Sequence, residues 1–192
     1  MAVYGVTVVT PPADEPLSLT DAKAHLKVDH SAEDTYIGSL IRAARRMVEQ
    51  GYGRQLVTAT LRISYPAFPG WELRLPRGPL QSVTSIQYVN TAGVLTTLDP
   101  SHYSYDATVD PAVIFPSFGH YWPSARLESG AVRYTVVCGY GDPADVPDDA
   151  VHAMRLLVGH WFRLREPVVE GSMSQAPLTV DSLLMNLWTG CY

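Results

Sequence analysis

Leu17-Ser-Leu-Thr-Asp-Ala-Lys-Ala-His-Leu-Lys-Val28, then Ala32 to Arg54 ending in Ala43-Ala-Arg-Arg-Met-Val-Glu-Gln-Gly-Tyr-Gly-Arg54, is the stretch on which the reading of the fold turns. Ser18 is placed to cap a short helix, with Asp21 at its third position where an acid complements the exposed amides and the helix dipole. Asp29-His30-Ser31 breaks that helix, and Ser31 with Asp34 repeats the cap-plus-acid pattern. In the second helix Ile37, Leu40, Ile41, Ala44 and Val48 fall at i, i+3, i+4, i+7 and i+11, a single core-facing stripe. Arg42, Arg45, Arg46 and Glu49 take the other faces, and Gly51 and Gly53 end the helix as C-terminal caps do.

On the N-terminal side the chain reads as extended, and Pro11-Pro-Ala-Asp-Glu-Pro16 is a stiff lead-in that excludes helix. On the C-terminal side, from Leu56 to about Cys138, the period changes from 3.6 to two. Leu61, Ile63 and Tyr65 alternate with Arg62 and Ser64. Trp71, Leu73 and Leu75 alternate with Glu72 and Arg74, and Val132, Tyr134, Val136 and Cys138 with Arg133, Thr135 and Val137. Thr91-Ala-Gly93 predicts a hairpin turn between Ser82–Val89 and Val94–Leu98. With a proline every few residues, this region reads as a small antiparallel β unit. Helix returns after Pro147, with Asp148 and Asp149 in its first turn and an apolar face of Val151, Met154, Leu157, Val158, Trp161 and Phe162 reaching Arg165, before Glu166-Pro167 stops it.

The expected fold class is therefore α+β: a helical lobe of residues 1–55 and 142–192, interrupted by a β-rich unit of residues 56–141. With 192 residues, 46% of them hydrophobic, the chain can bury one substantial core, divided into two lobes. Its net charge of −5 argues against general nucleic-acid binding. Twelve Arg against two Lys suits planar, bidentate pairing at interfaces, as well as the codon bias of a GC-rich genome. Cys138 and Cys191 make neither a metal pair nor a disulfide framework. The first ten residues lack the basic flank and length of a signal peptide or membrane span, so a soluble cytoplasmic product is expected.

Catalytic and cofactor chemistry finds little support. Gly139-Tyr-Gly141 does not match a nucleophile elbow, because Tyr stands where serine is required. Cys138, in an alternating strand, reads as a buried structural thiol. His152 and His160 are eight residues apart on one helix, about 12 Å at 1.5 Å per residue, too far to share a metal. Asp145, Asp148 and Asp149 are accounted for by helix capping and lack the calcium-loop pattern. No metal or cofactor is expected. Tyr103, Asp106, His120, Tyr121 and Trp122 cluster near loops and carry the enzymatic alternative, a small hydrolase acting on cell wall or nucleic acid.

Surfaces carry more. Arg42, Arg45, Arg46 and Arg54 suit three roles: phosphate contact, a solvated helix face, or inter-subunit ion pairing with acids such as Glu166 and Glu170; Arg163 and Arg165 join the interface candidates. Behind the polar linker 170–177, the segment Leu178–Trp188 concentrates Leu178, Val180, Leu183, Leu184, Leu187 and Trp188. It reads either as packing on its own core or as a docking arm for a partner's groove.

Taken together, Glu15-Pro-Leu-Ser-Leu-Thr-Asp-Ala-Lys-Ala-His-Leu-Lys27, Asp34–Leu56, Pro76-Arg-Gly-Pro-Leu-Gln-Ser-Val-Thr-Ser-Ile86 and Gly139-Tyr-Gly-Asp142 leading into Val146-Pro147 resemble the head–tail connector (adaptor, or head-completion) family of tailed bacteriophages and gene transfer agents. The likeness is to the longer branch, with a β insertion between the second and third helices; Gly51-Tyr-Gly53 departs from it where a Thr-Gly pair is expected. The resemblance implies a structural virion protein, typically a ring of twelve beneath the portal, extending the DNA channel towards a tail or stopper protein. It implies portal docking by the C-terminal arm, passage of DNA without sequence-specific binding, and a place at the head–tail interface after synthesis in the bacterial cytoplasm. A dodecamer at −5 per chain carries about −60, which would let DNA slide through the lumen. A tail-side structural protein is the nearer alternative.

Overall fold

The computed structural model describes residues 5–164 and 178–187, which form two compact units. The helical unit contains Ala13–Val57 and the described residues from Tyr140 onward; the β unit contains the described residues up to Pro12 and Thr58–Gly139.

In the helical unit, α1 (Leu19–Leu26) starts at Ser18, whose side chain accepts from the Asp21 amide at 3.0 Å. The longer α2 (Asp34–Tyr52) ends at Gly53, whose φ of 65° is the left-handed conformation a C-terminal cap requires. The expected Ser31 cap is not the one formed. Glu33 occupies the cap position without capping through its side chain, and Asp34 instead pairs with Lys23 at 2.6 Å, joining the two helices. The stripe Ile37, Leu40, Ile41, Ala44 and Val48 is buried against Ala150, Ala153, Met154, Leu157 and Val158 of α3 (Asp148–Arg163). α4 (Leu178–Leu184) continues into a 3-10 turn, Met185–Leu187.

Gly141 opens the return to helix. A Cβ there would lie 2.3 Å from Asp145 Oδ2, the atom that accepts from the Asp142 amide in the turn preceding α3. Its φ of 142° also excludes comfortable substitution.

The β unit holds a five-stranded and a three-stranded sheet, with all named strand pairs antiparallel. The larger has the order β1 (Gly5–Thr10), β2 (Ala59–Tyr65), β8 (Val132–Cys138), β4 (Leu80–Val89), β5 (Leu95–Thr97). The smaller joins β3 (Leu73–Arg74), β7 (Val113–Pro116) and β6 (Tyr103–Asp106). Strict alternation on β2 and β8 buries Leu61, Ile63, Tyr65, Tyr134, Val136 and Cys138 in one cluster with Leu73, Leu75 and Ile114. The β4–β5 hairpin turns at Gly93, as its φ of 83° requires.

Two expectations need correction. The first strand, placed with the helical lobe on sequence order, pairs with β2 from Gly5↔Ser64 to Thr10↔Thr60 and so belongs to the β unit. Sequence proximity to α1 says nothing about a strand's partner, and the rigid prolines after Thr10 end the strand where the chain leaves the sheet. Trp71, expected inward with Leu73 and Leu75, is 60% exposed, because β3 begins only at Leu73.

Candidate functional site

The strongest polar constellation of the helical unit is built on α2. Arg45, one face away from the apolar stripe, donates Nε to Glu15 at 2.7 Å and Nη1 to Glu49, four residues on, at 2.9 Å. Glu49 is buried, and its second oxygen accepts from the Gln55 amide at 2.7 Å and the Leu56 backbone N–H at 3.2 Å. Burial opposes the Arg45 charge, but the hydrogen bond it donates to Glu15 and the field of Glu49 outweigh it, so its pKa is raised. The network ties the lead-in to α1, the middle of α2 and the start of the chain's passage to β2. Its groups are mutually satisfied, which makes it a structural fastening rather than a reactive centre. Arg54 is likewise buried and donates Nε to the Leu187 carbonyl, so it is not a phosphate contact.

The expected interface arginines therefore separate. Arg42 and Arg46 are exposed on α2 and Arg163 at the end of α3, whereas Arg45 is consumed inside its own chain. Arg165 and Glu166 lie outside the described residues. The expected docking arm separates too. Val180, Leu184 and Leu187 are buried in the helical core and Leu183 is half-buried against it, because their spacing turns one stripe towards that core. Tyr52 Oη donates to Asp181 at 2.8 Å and fixes the same segment. Leu178 opens α4, and its side chain, like Trp188, lies outside the described residues. Of the two readings of this segment, its described stripe takes the first and packs on its own unit. A hollow of about 370 Å³ remains beside it, lined by Met47, Val48, Tyr52, Leu157, Leu184 and Met185 among others.

His25, in α1, has its pKa lowered by burial first and then by Arg155, His152 and Arg163. Among the described residues no group of histidine, cysteine or carboxylate side chains could hold a metal, and no helix is long and apolar enough to cross a membrane.

In the β unit the five residues considered for a hydrolase do not converge. Tyr121 and Trp122 border a hollow of about 390 Å³ lined only by aromatic, proline and small residues, including Phe68 and Trp71. Tyr103 is buried, Asp106 caps a turn through Thr108, and His120 stacks on His102 at 4.3 Å. Burial pushes the Cys138 thiol up to about 12, outweighing the nearby Arg77, and its Sγ donates to the Arg77 carbonyl. It is an inert core thiol.

The feature that sequence reading missed is the open face of the five-stranded sheet. Strand register places Thr60, Val137 and Ser82 in one row, Thr7, Arg62, Thr135 and Ser85 in the next, and Gly5, Ser64, Arg133, Gln87 and Thr97 in a third. Hydroxyl groups and two arginines dominate it, and it contains no acid. Arg133 Nε donates to the Gly130 carbonyl, while Arg62 Nε is buried with no hydrogen-bond partner among the described residues. Alternation revealed each strand's outer positions; only the register shows that they share rows.

In both units the described polar groups serve cohesion and surfaces. Residues 16–90 match the family described as phage gp6-like head-tail connector proteins. Among curated proteins none matches. Among solved structures, the fold is similar to a protein of the gene transfer agent (GTA) virion, at 24% identity over 96% of this chain and 95% of the other, with a TM-score of 0.79. It is similar, with the same identity and coverage and a TM-score of 0.78, to a protein in the neck of the empty GTA particle computed with C6 symmetry. A further match, at 22% identity, the same coverage and a TM-score of 0.68, is to a protein in the neck of the native particle computed with C12 symmetry.

Proposed function

We propose that this connector assembles with eleven copies of itself into a ring at the head–tail junction of a virion, seated beneath the portal, where it extends the DNA channel towards a tail or stopper protein. The match of residues 16–90 to the connector family carries this reading, and the likeness of the whole fold to GTA neck proteins supports it. Those necks were computed with six-fold and twelve-fold symmetry, and twelve copies are compatible with both. The exposed Arg42, Arg46 and Arg163 are available for contacts between neighbours. Since the apolar stripe of the C-terminal segment is occupied, its outward residues, Ser182 and Met185 among them, are what it offers the portal. DNA passes without sequence-specific contact, and the chain is made in the bacterial cytoplasm before it joins the particle.

Gel filtration with light scattering tests this, on the chain alone and mixed with the portal protein of the same particle. Co-elution at the mass of a portal ring plus twelve copies is expected. A chain that remains monomeric and ignores the portal overturns the ring and portal assignments.

A further inference from the structure

We propose that the open face of the five-stranded sheet, centred on Arg62 and Arg133, is a contact between copies of this chain, and that it receives Asp148 and Asp149, the acidic first turn of α3, of a neighbouring copy. The inference rests on the ring reading and gives that ring a specific joint.

Three observations carry it. The face is acid-free over three strand-crossing rows, and in its middle the Arg62 side chain makes no hydrogen bond or ion pair among the described residues, its Nε being buried. A guanidinium so placed calls for an anion with oxygen acceptors, and the flanking hydroxyls of Ser64 and Thr135 add donors beside it. Second, the acid surplus lies elsewhere in the chain. The stretches forming the helical unit, 13–57 and 140–189, contain nine basic and fourteen acidic side chains, a net −5; the rest contains five of each and is neutral. Third, Asp148 and Asp149 are exposed, and their carboxylates have no partner among the described residues. Asp142 and Asp145, by contrast, are used in the turn before α3.

Each copy offers one sheet face and one acidic turn, two different patches. Such a contact is heterologous, propagates head to tail, and closes into a ring when the rotation per copy divides a full turn. DNA is the weaker occupant: two arginines neutralise two phosphates, giving a logarithmic salt slope of only about −2.

The test uses the full chain and reads assembly mass by light scattering, with circular dichroism and thermal midpoint as folding controls. Arg62→Glu with Arg133→Glu should lower the ring fraction at least about tenfold, a difference of ~1.4 kcal/mol in the equilibrium. Asp148→Arg with Asp149→Arg should do the same, and combining all four should restore the ring. Because arginine at a helix start opposes the dipole, Asp148→Asn with Asp149→Asn is the milder variant, expected to weaken assembly and to blunt its salt sensitivity. A ring of wild-type mass after reversal of the sheet face overturns this joint and leaves the ring reading standing. Retained ring mass with loss of double-stranded DNA retention assigns the face to DNA and overturns it as well. A wild-type chain that never assembles, alone or with portal, removes the ring reading itself and this joint with it.

Discussion

The two units of this chain use polar groups in opposite ways. The helical unit buries Glu49, Arg54 and Gln55 and joins distant segments through its polar groups: Glu15, Arg45, Glu49 and Gln55 form one network, and Arg54 reaches the Leu187 carbonyl. The β unit keeps charge off its core and relies on alternation, leaving Tyr134 Oη buried without a hydrogen-bond partner among the described residues. Short helices separated in sequence need specific fastenings to meet in one register. Strands that are already cross-paired along their length do not.

This contrast can be broken most sharply at Glu49. Glu49→Ala removes the acceptor shared by Arg45, the Gln55 amide and the Leu56 N–H, and should cost about 3 kcal/mol in urea unfolding. A loss below ~1 kcal/mol would show that the network is a surface ornament. Next, Leu184→Ala should cost about 3 kcal/mol, as expected for a buried leucine in a close-packed core. Unchanged stability there, with portal binding lost, would return the C-terminal segment to the role of a free docking arm. In the β unit, Tyr134→Phe removes an unsatisfied hydroxyl and should shift stability by no more than ~1 kcal/mol, in either direction. A larger loss would mean that the hydroxyl has a partner after all.

The smallest effect is the titration of Cys138. Its folded pKa, about 12, stands above the ordinary 9.0, so the protonated thiol favours the fold. That contribution is complete below about pH 9 and is lost as pH rises through about 12. Correspondingly, alkylation of Cys138 near pH 8 should occur only on unfolding, and rapid labelling of the native chain would contradict its burial.

Much of this was legible in the sequence because it lies in short-range pattern. The α2 stripe, the Ser18 cap, the Gly53 terminus and the alternation of β2 and β8 all follow from residues within a few positions of one another. What escaped depends on partners far along the chain. The strand of Gly5–Thr10 needed β2 to define it, and Arg45 looked like one more surface arginine until Glu15, thirty residues earlier, was placed beside it. The i, i+4 spacing of Arg45 and Glu49 was the available hint, since that pair shares a helix face. The C-terminal stripe had the amphipathic spacing of either a docking helix or a core helix, and hydrophobic periodicity alone does not say which surface it meets. The sheet face was hidden for the same reason: Arg62 and Arg133 are neighbours only across the β2–β8 register.

The hydrogen bond from Arg54 to the Leu187 carbonyl joins residues 133 positions apart. During synthesis, α1 and α2 emerge early but cannot complete their core until that late segment arrives, and the β unit's last strand, ending at Cys138, is made in between. Maturation of the helical unit is thereby deferred until residues 178–187 have been made, so a chain cut short before residue 178 would present an unfinished core and be subject to proteolytic removal.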